Sequence, residues 1–159
     1  EEFKVGQLTK ELVAEKLRRM DDPCAEAARL VRNTLGVALR NAQPGTEIGL
    51  APVIEDACWG GMTALLLAEQ SLSKGAVLVI HEVSELATEL HLDPTETLRS
   101  ALRGIAGLDR VLRADQLDEI RAAIKVSFMG MDEAFAQIVE EERERRREKS
   151  VSENPAPNG

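Results

Sequence analysis

The sequence is poor in aromatic residues, cysteine and histidine. Its 159 residues include one tryptophan, three phenylalanines and no tyrosine, so aromatic side chains make up 3% of the chain. The core must therefore be built from Leu, Ile, Val and Ala. The two cysteines, Cys24 and Cys58, have no CxxC spacing and are too few for a disulfide framework or a zinc site. We expect both to be small buried residues of the core.

Long apolar runs and an excess of positive charge are also missing. The longest apolar runs, "GAVLVI" and "ALLLA", are shorter than the roughly 18 residues that a membrane span needs, so we expect no contact with a membrane. A cytoplasmic location is the default expectation, and the alternative is a leader that was removed ahead of Glu1. The formal net charge of −8 opposes nonspecific attraction to nucleic acid.

Known enzyme motifs are absent from the sequence as well. There is no P-loop, no dinucleotide-binding glycine fingerprint and no nucleophile elbow. We therefore predict a protein that is not an enzyme and that needs no cofactor.

What the sequence does contain is helical periodicity, because apolar residues recur at intervals of three and four along almost the whole chain. Asp22 and Asp93 each precede a proline, which is typical of a helix N-cap followed by the first helical residue. The run "AVLVI" could form a strand, but no partner strand is apparent. We expect helices from near Val5, from Asp22, from Pro52 to about Ser73, from Ala76 to about Leu90, from Asp93, and after Asp115.

Two further features refine this prediction. In the third helix Ala57, Gly61, Ala64 and Ala68 share one face, which would let another helix approach closely and places this helix at the centre. Gly75 is expected to end that helix in a left-handed conformation. After Asp115 one apolar stripe runs to Ile138 and gives way to "EEERERRREK", in which five acidic and five basic residues balance. We interpret this charged segment as a solvated extension of the last helix.

The predicted fold class is therefore all-α, a compact bundle of five to six helices with a long C-terminal helix. Residues 1–149 would form a single domain. Residues 150–159, "SVSENPAPNG", lack apolar residues for packing and are expected to be a disordered tail.

The stretch "HEVSELATELH" carries both histidines of the chain. His81 and Glu85 are one helical turn apart, a spacing that is similar to helix-bundle metal sites of hemerythrin-like proteins. Such sites draw further ligands from facing helices, and two histidines cannot supply the hemerythrin pattern. His81, Glu85 and Glu89 also lie opposite the apolar face of their helix. A surface His–Glu pair is thus the main interpretation, with a metal-binding or small-ligand site at His81 and Glu85 as an alternative.

The stretch "SELATELHLDPTETLRSALRGI" resembles a helix-turn-helix motif of DNA-binding regulators. This resemblance implies that Thr95, Arg99, Ser100 and Arg103 would contact DNA from the second helix. The turn position that usually holds glycine is His91, and no strand pair follows. From Ser84 to Arg113 four arginines face five acidic residues, so the segment lacks the basic footprint of phosphate binding.

The main functional hypothesis is a non-enzymatic module for protein interaction or self-association. The helix that begins at Ala76 is apolar on all sides at its start, and the last helix carries no catalytic residues. We expect a homo-oligomer or a complex with a protein partner. The hypothetical interface consists of Val77, Leu78, Phe128, Met131 and Phe135.

Overall fold

The structure, a computed structural model, describes residues 5–18, 21–41 and 49–153. Within these ranges the chain is all-α, as predicted, and contains no strand. The described residues form seven α-helices, one more than the upper limit that we expected. They are α1 (Val5–Arg18), α2 (Pro23–Arg40), α3 (Leu50–Leu67), α4 (Leu72–Glu89), α5 (Pro94–Ala106), α6 (Ala114–Ser127) and α7 (Met131–Glu153), with a 3-10 helix (Gly107–Arg110) after α5.

Two of the predicted helix starts are confirmed by their capping hydrogen bonds. The Asp22 carboxylate accepts a hydrogen bond from the backbone N–H of Ala25 at the start of α2, over 3.2 Å. The Asp93 carboxylate accepts one from the backbone N–H of Glu96 at the start of α5, also over 3.2 Å. Each bond satisfies a backbone donor that has no partner inside its helix.

The boundary between α3 and α4 differs from the prediction. The helix ends at Leu67, and Glu69, not Gly75, takes the left-handed conformation, with φ 59°. The backbone N–H of Gln70 then donates to the carbonyl of Leu65, which closes a Schellman motif. Gly75 lies in the first turn of α4, where a Cβ atom would come within 2.4 Å of the Leu65 side chain. Its role is close packing between α3 and α4.

The predicted last helix is two helices. Phe128 has an extended backbone and Gly130 has φ +82°, so the chain turns between α6 and α7. The apolar spacing continues across this turn because both helices face the same core, and it therefore hides the break. Helix α7 continues to Glu153, beyond the domain boundary expected at residue 149, while residues 154–159 lie outside the described residues.

Helix α3 occupies the predicted central position, in contact with α1, α2, α4 and α5. These contacts are close because glycines stand at the crossings. A Cβ atom at Gly61 would lie 2.5 Å from the Val31 side chain of α2, and one at Gly104 of α5 would lie 2.4 Å from the carbonyl oxygen of Glu55. Among the described residues α3 is also the one helix with the length and mean hydropathy, 1.3, to cross a membrane. In this fold it packs against four other helices.

Both cysteines are buried in the core, as the sequence analysis predicted. The Cys24 thiol donates to the carbonyl of Ser71 over 3.3 Å. Burial raises the pKa of Cys58 to about 12, so its thiol stays protonated at neutral pH. A protonated, inaccessible thiol is a poor nucleophile, which agrees with a packing role.

Candidate functional site

The histidine stretch lies on α4 with the orientation that its periodicity predicted. Val79, Val83 and Leu86 are buried, whereas His81 and Glu85 are exposed. The Nε2 atom of His81 lies 3.0 Å from a carboxylate oxygen of Glu85. The two residues therefore form a pair on the surface of a single helix.

Glu85 and Glu89 were expected to point into solvent. Together with Glu82 they form an acidic row on α4, and this row makes ion pairs with α2. Arg32 of α2 reaches across and pairs with Glu82, Glu85 and Glu89, with N–O distances of 2.9, 2.8 and 2.9 Å. Arg40 adds a second contact to Glu89 at 2.7 Å. Hydrogen bonds from Arg32 hold the pKa of Glu89 below its usual value, with Arg40 acting in the same direction. The row thus forms an ionic bridge between α2 and α4.

This bridge bears on the metal hypothesis. The Glu85 carboxylate that would bind a cation already pairs with His81 and Arg32. Within the described ranges no group of three or more His, Cys, Asp or Glu side chains is placed to hold a metal ion. The structure thus brings no third ligand to His81 and Glu85.

The four residues of the helix-turn-helix hypothesis do not share one accessible face. Ser100 is buried and its hydroxyl donates to the carbonyl of Glu96 over 2.9 Å. The Arg103 guanidinium lies 3.8 Å from the Glu55 carboxylate of α3. Thr95 and Arg99 are exposed. Helix α5 uses most of its surface to pack against α3, α4 and α7, which leaves little of it for a nucleic-acid groove.

The turn before α5 carries a residue in an unusual conformation. His91 has φ 55°, and the backbone N–H of Leu92 donates to the carbonyl of Ala87 over 2.9 Å. This is a second Schellman motif, with histidine where glycine is preferred. His91 stands where the DNA-binding pattern usually has glycine, and it still adopts the left-handed conformation of the turn.

The five residues of the hypothetical interface are not equally accessible. Phe135 is 1% exposed and belongs to the core, so it is not available to a partner. Val77, Leu78, Phe128 and Met131 are half-buried. Of these, Phe128 and Met131 lie at the turn between α6 and α7, and both pack against the core.

That turn exposes two large apolar side chains that the sequence analysis did not single out. In residues 126–131, which we call the α6–α7 corner, the Val126 side chain is 88% exposed and the Met129 side chain is 100% exposed. The corner contains no charged residue; Lys125 precedes it, and the buried Asp132 and the exposed Glu133 follow it. Because the apolar spacing continues without interruption from α6 into α7, neither the turn nor the exposure of these residues was predicted.

A second unpredicted feature is a buried ionic cluster at the 3-10 helix. The Asp109 side chain is 5% exposed and accepts hydrogen bonds from Arg143 of α7 at 2.8 and 3.1 Å. Arg146, one turn further along α7, also donates to Asp109. Burial acts to raise the pKa of Asp109, but the hydrogen bonds from Arg143 and Arg146 outweigh it and hold that pKa below its usual value. Part of the charged segment is therefore docked on the bundle and is not freely solvated.

Compared with protein-family models, with curated proteins and with solved structures, the chain shows no significant match.

Proposed function

We propose that this protein is a non-enzymatic helical module that self-associates through the α6–α7 corner. The observation that carries this proposal is the exposure of Val126, in the last turn of α6, and of Met129, in the connection to α7. Fully burying an apolar side chain of this size contributes about 1.5 to 3 kcal/mol. An interface that covers both side chains would recover this free energy in each of the two copies.

A second copy of the same chain is the occupant that we propose, because two copies can meet at the corner with little electrostatic repulsion. The chain carries a net charge of −8, so most approaches between two copies bring like charges together. The corner avoids this repulsion because residues 126–131 are uncharged. We further propose that Lys125 of one copy pairs with Glu133 of the other, a contact that a two-fold arrangement would form twice because a symmetric interface is self-complementary.

Light scattering across a concentration series, extending to tens of micromolar, tests the proposal. We expect a dimer that dissociates on dilution. Val126→Glu should shift the midpoint of dissociation to at least about tenfold higher concentration, which corresponds to about 1.4 kcal/mol. The matched control is Val37→Glu, which makes the same change at an exposed valine of α2. It should leave the midpoint unchanged.

Charge exchange provides a more specific test of the two-fold contact. Lys125→Glu should weaken association, because glutamates would then face each other across the interface. Adding Glu133→Lys to the same chain should restore it. A strict monomer at tens of micromolar would overturn the proposal, and so would equal effects of Val126→Glu and Val37→Glu.

A further inference from the structure

Helix α7 consists of two halves that are held to the bundle by different forces. Its first half, residues 131–139, buries Phe135, Ile138 and Val139 in the core. The second half, residues 140–153, contains one apolar residue, Val151, and that side chain is exposed. The hydrophobic effect therefore fastens the first half alone.

The contacts of the second half are ionic. Arg143 and Arg146 are three positions apart, which puts them on the same side of the helix, and both donate to the Asp109 carboxylate. Glu142 and Arg145 lie close enough to Glu55 of α3 to influence its pKa, which burial raises above its usual value. Asp109 is the better anchor of the two, because its side chain is 5% exposed and makes several hydrogen bonds to charged groups.

From this arrangement we propose that residues 140–153 form an ionic strap, which opens from the bundle while residues 131–139 stay packed. In the closed state the strap covers the Asp109 carboxylate. In the open state it exposes that carboxylate and frees the guanidinium groups of Arg143 and Arg146. Both arginines are partly exposed when the strap is closed, so they reach water without disturbing the core.

The open strap keeps a source of helical order. Arg143 pairs with Glu140, and Arg145 pairs with Glu142, each over one turn of the same helix. Such pairs stabilise an exposed helix to a small extent. These pairs are too weak to keep the detached strap fully helical, so it frays when it opens and its backbone amides exchange with solvent.

The proposal is tested by hydrogen exchange of the full chain, followed by mass spectrometry, in which the Asp109→Asn variant is compared with the unmodified chain. The variant keeps the shape of the side chain and removes its charge. Because a hydrogen bond to a charged group contributes about 1.5 to 3 kcal/mol, exchange in residues 140–153 should accelerate by about 10- to 100-fold. Exchange in residues 131–139 should stay unchanged. The control is Asp115→Asn, which removes an exposed carboxylate paired with its neighbour Arg113.

Two results would overturn the proposal. One is equal acceleration along residues 131–153, which would mean that α7 opens as a unit. The other is unchanged exchange in residues 140–153. Should Asp109→Asn unfold the whole chain, Arg146→Gln provides the same test from the exposed side of the cluster, with the same expected pattern and the same contradictory outcomes.

Discussion

The crossings between α3 and its neighbours and the second half of α7 show two ways of joining helices in one bundle. At the crossings, glycines bring backbones so close that a single added carbon atom would collide with a carbonyl oxygen. At the end of α7, a buried carboxylate holds two arginines and no apolar side chain is buried. Closely packed surfaces separate only when a large part of the core unfolds, whereas an ionic contact can open locally when water replaces its partners.

The largest expected effect comes from Gly104→Ala in the packed region. Its Cβ would lie 2.4 Å from the Glu55 carbonyl oxygen and 2.9 Å from Cys58 Cβ, so α5 must move away from α3. We expect the free energy of unfolding, measured with urea, to fall by about 3 kcal/mol or more, at or above the upper end of the usual range for overpacking.

Gly60→Ala is the control for this substitution. Gly60 lies in α3 with nothing within 4 Å of an added Cβ, so alanine should stabilise the chain by about 0.5 to 1 kcal/mol through helix propensity. Equal destabilisation by the two substitutions would mean that close approach at Gly104 does not hold α5 to α3.

A smaller effect is expected from acid on the ionic contact. The folded-state pKa of Asp109 is depressed, so its contribution is present above the unfolded value of about 3.9 and disappears as the pH falls through the lower folded value. Arg143 and Arg146, which act on Asp109 from α7, stay charged throughout. At pH 7 the unmodified chain should exceed Asp109→Asn in unfolding free energy by about 1.5 kcal/mol.

Thermal unfolding monitored by circular dichroism at pH 7 and below pH 3 measures this difference. It should shrink at the lower pH, because protonation of Asp109 removes the charge that distinguishes the two chains. Other carboxylates with depressed pKa values, such as Glu89, contribute to both chains alike. A difference that is the same at both pH values would show that Asp109 acts through its shape and not through its charge.

Arg32→Gln should have a smaller effect still, although Arg32 contacts three glutamates. Arg32 and these partners are partly exposed, so water and salt screen the interactions. Urea unfolding should show a loss of at most about 1 kcal/mol, and less in 0.5 M than in 0.1 M NaCl. A loss above about 2 kcal/mol would mean that this exposed bridge stabilises the fold as much as the buried Asp109 cluster does.

The smallest change expected is a gain. His91→Gly relieves a left-handed conformation that disfavours side chains, and should raise the unfolding free energy by up to about 1 kcal/mol. His81→Gly, inside α4, should lower it by a similar amount, since glycine weakens a helix interior. If both substitutions raise the midpoint of thermal unfolding, or both lower it, the left-handed turn assigned at His91 is contradicted.

These comparisons also show what the sequence could predict. Local signals were enough where capping chemistry and apolar spacing agreed, as at Asp22, Asp93 and the buried face of α4. They failed at the α6–α7 corner, because a stripe that faces one core does not reveal that the helix is broken. They also failed for Asp109, which lies 34 residues from Arg143 in the sequence. No local pattern links two charges that only the tertiary fold brings together.

The same limit applies to the candidate interface. The interface predicted from the sequence included Phe128 and Met131, but the apolar spacing could not say which residues face solvent. Phe135 continues the stripe and is buried, whereas Val126 and Met129 lie at the break and are exposed. Met129 is exposed in the connection between the two helices, and Val126 on the solvent side of the last turn of α6.

A double-mutant cycle on the strap tests most directly whether an ionic contact alone holds the second half of α7. Hydrogen exchange of residues 140–153 would be compared among the unmodified chain, Asp109→Asn, Arg146→Gln and the double variant. If the two residues act through each other, the double variant should exchange no faster than Asp109→Asn. Effects that add independently would show that Asp109 and Arg146 stabilise the strap through separate contacts, and would contradict the account.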